Sequence, residues 1–95
     1  MKILVLFIVL LGSPVWAGKR LIGHVNINQA SAASLSLLPG VGPKRAEAII
    51  RLRQKRPFRR AVQLRRVRGI GRRTLMKMLP YIRLKGPTDL RVKAR

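Results

Sequence analysis

Apolar residues recur along the chain in two related registers. Leu35 and Leu38, three apart, mark the inner side of a short helix, and Ala46, Ile49 and Ile50 form the apolar stripe of a longer one. Further on, Leu64 and Val67 repeat the first spacing, and Leu75, Met78 and Leu79 repeat the second. The breaks between them carry the signals that end or start helices. Ser31 is a good N-cap for a helix over 32–37. Pro43 sits where proline is tolerated, in a first turn, and Pro57 stops the helix that begins there. A third helix is expected over 61–66 and a fourth over 72–79, stopped near Pro80. Phe58 is expected to plug the junction between the two halves, with Tyr81 and Ile82 folding back on the core.

Shifting the chain by 29 residues superimposes the two halves. Leu35 falls on Leu64, Leu38 on Val67, Gly40 on Gly69, Val41 on Ile70 and Gly42 on Gly71. Ala46, Ile49 and Ile50 fall on Leu75, Met78 and Leu79. The repeated unit is a helix, a Gly-apolar-Gly turn and a second helix. Its apolar middle residue should point inward and pin the turn, while glycine allows a positive φ and close approach of another backbone. The expected fold is all-α, about four short helices over residues 26–84, with a core small enough to be marginal.

The segments outside this unit read differently. Residues 1–17 have the pattern of a secretory signal peptide: Lys2, the apolar run from Ile3 to Leu11, then Gly12, Ser13 and Pro14 before Val15-Trp16-Ala17. The run is far shorter than the ~20 residues of a membrane span, so export to the periplasm or cell exterior is expected, ahead of an uncleaved anchor. Residues 18–25 read as a linker. Residues 85–95, charged and poor in apolar positions, read as a mobile basic tail.

Charge then narrows the partner. The 95 residues carry 22 Lys+Arg against 2 Asp+Glu, a formal net charge of +20. Such a domain repels itself and calls for an anionic partner: nucleic acid, a membrane surface or an acidic polymer. Fifteen of the basic residues are arginine, whose planar fork bonds phosphate bidentately, although a GC-rich genome would also favour arginine codons.

The Gly-x-Gly turns name a place for that anion. A turn leading into a helix presents backbone N–H groups with no intrahelical partner at the positive end of the helix dipole. Lys44 and Arg45 follow the first turn, and Arg72, Arg73 and Thr74 follow the second. One such turn is as easily a tight corner. Two at fixed spacing, each followed by basic residues, point to phosphate. On this reading, replacing Gly40 and Gly69 together by Asp abolishes binding and leaves helicity intact.

Other chemistries find little support. There is no Cys, and His24 is the single histidine, read as a solvated residue ahead of the domain. Glu47 and Asp89, the two carboxylates, are far apart in sequence. No catalytic constellation, metal site or cofactor is expected. Met76 and Met78 read as packing residues. Phe58 and Tyr81 are assigned to the core, so bases would find no exposed aromatic to stack on, and duplex is favoured over single strand. Gln54 and Gln63, the obvious polar readers, lie outside the turns, which favours phosphate contact over base reading. A cationic membrane-surface protein would explain the charge without the paired turns, and a protein-interaction module remains a further alternative.

The stretch Leu35-x-x-Leu38-x-Gly40-Val41-Gly42-x-x-x-Ala46-x-x-Ile49-Ile50 resembles the helix-hairpin-helix motif. With Val25-Asn26-Ile27-Asn28, Ala30-Ser31, Pro57-Phe58, Gly69-Ile70-Gly71 and Pro80-Tyr81-Ile82, the chain is similar over about residues 25–83 to the DNA-binding domain of the ComEA competence family. The resemblance implies a SAM-domain-like tandem hairpin fold and an exported protein. It also implies duplex DNA bound without sequence preference, a receptor role in DNA uptake and contact with uptake machinery; contact with a membrane surface is a separate expectation from the charge. By resemblance, Gly40, Val41, Gly42, Lys44 and Arg45 would meet one backbone, and Gly69, Ile70, Gly71, Arg72, Arg73 and Thr74 the other. The chain departs from the family at Ala33 and Ser34, where acidic residues are usual, and at Arg60, where a Ser often caps the third helix.

Overall fold

A computed structural model of the chain describes residues 19–94; the leader at 1–17 lies outside them. The element order is β1 (Lys19–Ile22), β2 (Val25–Asn26), α1 (Ala32–Ser36), α2 (Gly42–Lys55), a 3-10 helix (Ala61–Arg66), α3 (Arg72–Met78), a 3-10 turn (Leu79–Tyr81), β3 (Ile82–Arg83) and β4 (Arg91–Ala94). The helical framework follows the apolar registers. Ser31 caps α1, its Oγ accepting the Ser34 N–H at 3.2 Å. Helix α2 holds Pro43 in its first turn and ends before Pro57.

The third helical segment is a 3-10 helix rather than an α-helix. Arg60 at its start has no side-chain acceptor, as the sequence implied, but Gln63 compensates. Its Oε1 accepts the N–H groups of Arg59 at 2.8 Å and Arg60 at 3.3 Å. That is the reciprocal half of a capping box, and it engages Gln63 inside the fold.

The core is one cluster drawn mainly from the helices, the turns between them and the segment before α1: Ile27, Leu35, Leu38, Val41, Ala46, Ile49, Phe58, Leu64, Val67, Ile70, Leu75 and Met78 are among its buried members. Two expected core positions turn out exposed. Pro80 diverts the chain after Met78 into a 3-10 turn, which rotates Leu79 outward. Met76 lies on the solvent side of α3. Tyr81 and Ile82 pack against the cluster as expected.

The all-α expectation is corrected at the chain ends. Strands β2 and β3 pair in parallel, Val25 beside Ile82 and Asn26 beside Arg83, and tie the two ends of the repeat together. Asn26 is buried and fully used. Its Nδ2 donates to the Gly86 carbonyl at 2.8 Å, its Oδ1 accepts the Asn28 N–H at 2.8 Å, and its own N–H reaches Thr88 Oγ1 at 2.9 Å. Buried amides persist only when paired in this way. Asn28 then grips the Phe58 backbone in both directions, at 2.7 and 2.9 Å, and so fastens the junction between the halves.

The segments read as linker and free basic tail are also ordered against each other. Strands β1 and β4 pair antiparallel from Lys19↔Ala94 to Ile22↔Arg91. Leu90 is buried, and the Asp89 carboxylate accepts the His24 N–H at 2.7 Å. His24 is half-buried rather than solvated, its Nδ1 3.0 Å from an Arg83 guanidinium nitrogen. Since guanidinium only donates, that ring nitrogen acts as the acceptor. One apolar anchor and backbone pairing are enough to dock a segment whose composition reads as tail.

Candidate nucleic-acid interface

Each Gly-x-Gly turn closes with the same bond. The Val41 N–H reaches the Leu38 carbonyl at 3.1 Å, and the Ile70 N–H reaches the Val67 carbonyl at 3.0 Å. Val41 and Ile70 are buried at 4% and 3% exposure, so they pin the turns from inside and offer a ligand only their backbone. Gly40 and Gly69 have φ of 77° and 96°, a region that side chains resist. The two turns are not identical beyond that point. Gly42 has φ of 66°, whereas Gly71 is extended at −99° and caps α3.

The four glycines divide into two pairs by what they face. A Cβ on Gly40 would lie 2.5 Å from Thr74 Cγ2, and a Cβ on Gly69 would overlap the Arg45 guanidinium. Gly42 and Gly71 face open space. Under the 29-residue repeat, Arg45 corresponds to Thr74. The contacts are therefore reciprocal: each hairpin sets the residue five past its first glycine onto the first glycine of the other. Arg45 strengthens the contact, its Nη1 donating to the Gly40 carbonyl at 2.8 Å and its Nε to the Arg68 carbonyl at 3.3 Å.

This geometry sorts the residues expected to bind. Gly42, Gly71, Lys44, Arg72 and Arg73 stand at the open side of the paired turns. Gly40, Gly69, Arg45 and Thr74 form the seam between the hairpins. The paired Asp substitutions at Gly40 and Gly69 would therefore break this seam as well as any binding, because both positions combine positive φ with an occupied neighbour. In α3 the first helical bond runs from the Leu75 N–H to the Gly71 carbonyl at 2.9 Å. The amides of Arg72, Arg73 and Thr74 precede it and have no carbonyl one turn back.

Basic residues surround the seam. An open groove of about 790 Å³ lies beside it, lined by Val41, Pro43, Lys44, Arg45, Ala48, Arg68 and Gly69. Arg68 was absent from the residues expected to bind, and only the fold brings it next to Lys44. The carboxylates lie elsewhere. Glu47 is exposed on α2, and Asp89 is engaged at the chain-end ribbon. The backbone N–H of His24 holds the Asp89 carboxyl below its ordinary range, with help from the nearby charges of Arg83 and Arg91. Burial lowers the Arg53 guanidinium from its usual value; it donates to the Ile27 carbonyl at 3.2 Å and is committed to structure.

Two glycine-turned helical hairpins, locked face to face and rimmed by cations, define a nucleic-acid-binding class of domain. The family model of the helix-hairpin-helix motif matches residues 22–83, and the chain belongs to that family. An uncharacterized protein of Haemophilus influenzae (strain ATCC 51907 / DSM 11121 / KW20 / Rd) is 47% identical over 55 residues, covering 56% of this chain and 49% of that protein. The chain thus spans about half the length of that relative. No solved structure matches the chain.

Proposed function

We propose that the protein binds double-stranded DNA through its phosphates, without reading bases, and that it serves as an exported receptor in DNA uptake of the ComEA type. The observation that carries the binding mode is the reciprocal seam. It holds two amide-bearing helix starts at a fixed separation, with Gly42 and Gly71 open and Lys44, Arg72 and Arg73 beside them. Two phosphate sites at fixed spacing suit the two backbones that border a groove of a duplex. Polar side chains that could read base edges are not concentrated there, so affinity comes from phosphate contact and charge. The reading assigns the protein a binding role and no catalysis. Export and the uptake role rest on the leader pattern and the resemblance to the ComEA family, and uptake machinery is the further partner they suggest; the charge suggests a membrane surface as another.

A mobility shift on random-sequence duplex, with single-stranded competitor and a series of salt concentrations, tests the binding mode. The expected result is duplex preference across sequences, with log K falling against log salt by about 0.9 per phosphate neutralised. Binding that is independent of salt, or absent at physiological salt, would refute it and move the membrane-surface reading forward. For the uptake role, deletion of the gene should lower uptake of labelled DNA, and unchanged uptake would remove that part of the proposal alone.

A further inference from the structure

The groove beside the seam does not end at the hairpins. A second depression of about 300 Å³ shares Ala48 and Arg68 with it and continues along α2 to Lys55. On the helix, Lys44, Ala48, Arg51, Leu52 and Lys55 follow spacings of three and four, so they form one stripe over most of its 14 residues. The floor is apolar: Ala48 and Leu52 are half-buried and Val67 is buried beneath them. The rim is cationic, with Lys44, Arg51 and Lys55 on one side and Arg66 and Arg68 on the other, all exposed. No carboxylate lines either part.

We infer that this groove docks a segment of another protein in which carboxylates flank apolar side chains. Charge complementarity selects an anion, and the floor selects among anions. Phosphates of a duplex would satisfy the rim but gain nothing from Leu52 and Ala48. A single strand would need stacking faces, and the groove has no aromatic residue. A peptide with leucine-like side chains between acidic ones uses both features. Helix α2 is about 21 Å long at 1.5 Å per residue, which suits about six residues of extended chain at roughly 3.3 Å each. Lys44 and Arg68 on its rim also border the seam, so a docked acidic segment would lie against the edge of the hairpin surface. The inference stands without the DNA reading.

The test uses the whole protein and a fluorescent peptide of repeated Glu-Glu-Leu triplets, compared with one in which Ser replaces each Leu. Anisotropy at physiological salt should show the leucine peptide bound at least tenfold more tightly. Leu52→Asp should abolish that preference, while Met76→Asp, on an exposed position outside the groove, should preserve it. Should Leu52→Asp lose its helical circular dichroism, Ala48→Gln provides the same readout at a half-buried position of the groove floor, in a helix that accepts Gln readily. Arg51→Glu with Lys55→Glu should weaken both peptides. Equal binding of the two peptides would overturn the inference, because charge alone would then account for it. A leucine preference that survives Leu52→Asp or Ala48→Gln in a folded protein would overturn it too. So would a single-stranded oligonucleotide whose binding shows the same Leu52 sensitivity, since the groove would then belong to nucleic acid.

Discussion

Replacing Arg45 by Ala separates the two roles this residue could have. Sequence spacing and family resemblance both place it on a phosphate. In the structure its guanidinium instead spans the seam, bonding the carbonyls of Gly40 at 2.8 Å and Arg68 at 3.3 Å and covering Gly69. Hydrogen bonds from a charged donor are worth about 1.5–3 kcal/mol each where well shielded. Arg45 is exposed, the second bond is long, and water can replace it at both carbonyls, so the pair together should contribute about 1–2 kcal/mol. For a domain of this size each kcal/mol shifts the melting temperature by roughly 4–8 °C, so Arg45→Ala should melt about 5–15 °C lower. The matched control is Lys44→Ala, at an exposed position, which should change stability by less than about 0.5 kcal/mol, as ordinary surface changes do. The assay is urea and thermal denaturation of both variants, followed by DNA titration well below their melting points. Lys44→Ala should reduce the salt slope by about 0.9, and Arg45→Ala by less. An Arg45→Ala protein of wild-type stability that loses slope as Lys44→Ala does would refute the seam and return Arg45 to the phosphate.

Three other perturbations probe neighbouring features. Gly40→Ala should cost about 1–2 kcal/mol for the left-handed backbone and more for the overlap with Thr74 Cγ2. Adding Thr74→Ser, which deletes that methyl, should recover part of the loss, and strict additivity of the two in a double-mutant cycle would show that the hairpins do not meet there. Gly71→Ala meets open space at a φ that any residue adopts, so stability should change by no more than about 0.5 kcal/mol while duplex affinity falls several-fold; unchanged affinity would place the phosphates elsewhere. The lowered carboxyl of Asp89 favours the folded state fully above the ordinary carboxylate pKa of about 3.9, and that contribution is lost as pH falls through the lower folded value. Acid titration followed by amide exchange at residues 20–24 should therefore show the chain-end ribbon loosening below about pH 4, and Asp89→Asn should already be loose at neutral pH.

The helices and turns were legible because they rest on local rules. Apolar spacing, the Ser31 cap, the prolines and the glycine pairs each act within a few residues, and the 29-residue repeat doubled every signal. The ends of the fold were not legible. Charge and turn residues dominate 85–94, and a single buried Leu90, together with pairing to residues more than sixty positions away, decides their placement. Outward rotation of Leu79 likewise depended on where Pro80 ended the helix in three dimensions, against the register of the repeat.

The sequence alone determined that this is a small basic domain with two glycine turns, each leading into a helix, because glycine and proline constrain their own backbone and helical spacing constrains its own face. Only the tertiary structure decided which of those residues face outward. Spacing treats Gly40 like Gly42 and Arg45 like Lys44, since each pair sits on the same turn with the same chemistry. Packing one hairpin against the other breaks that equivalence: Gly40 and Arg45 meet the opposing copy, and Gly42 and Lys44 remain open to a ligand. A contact between residues separated by about thirty positions depends on how two helices cross, which no local pattern encodes.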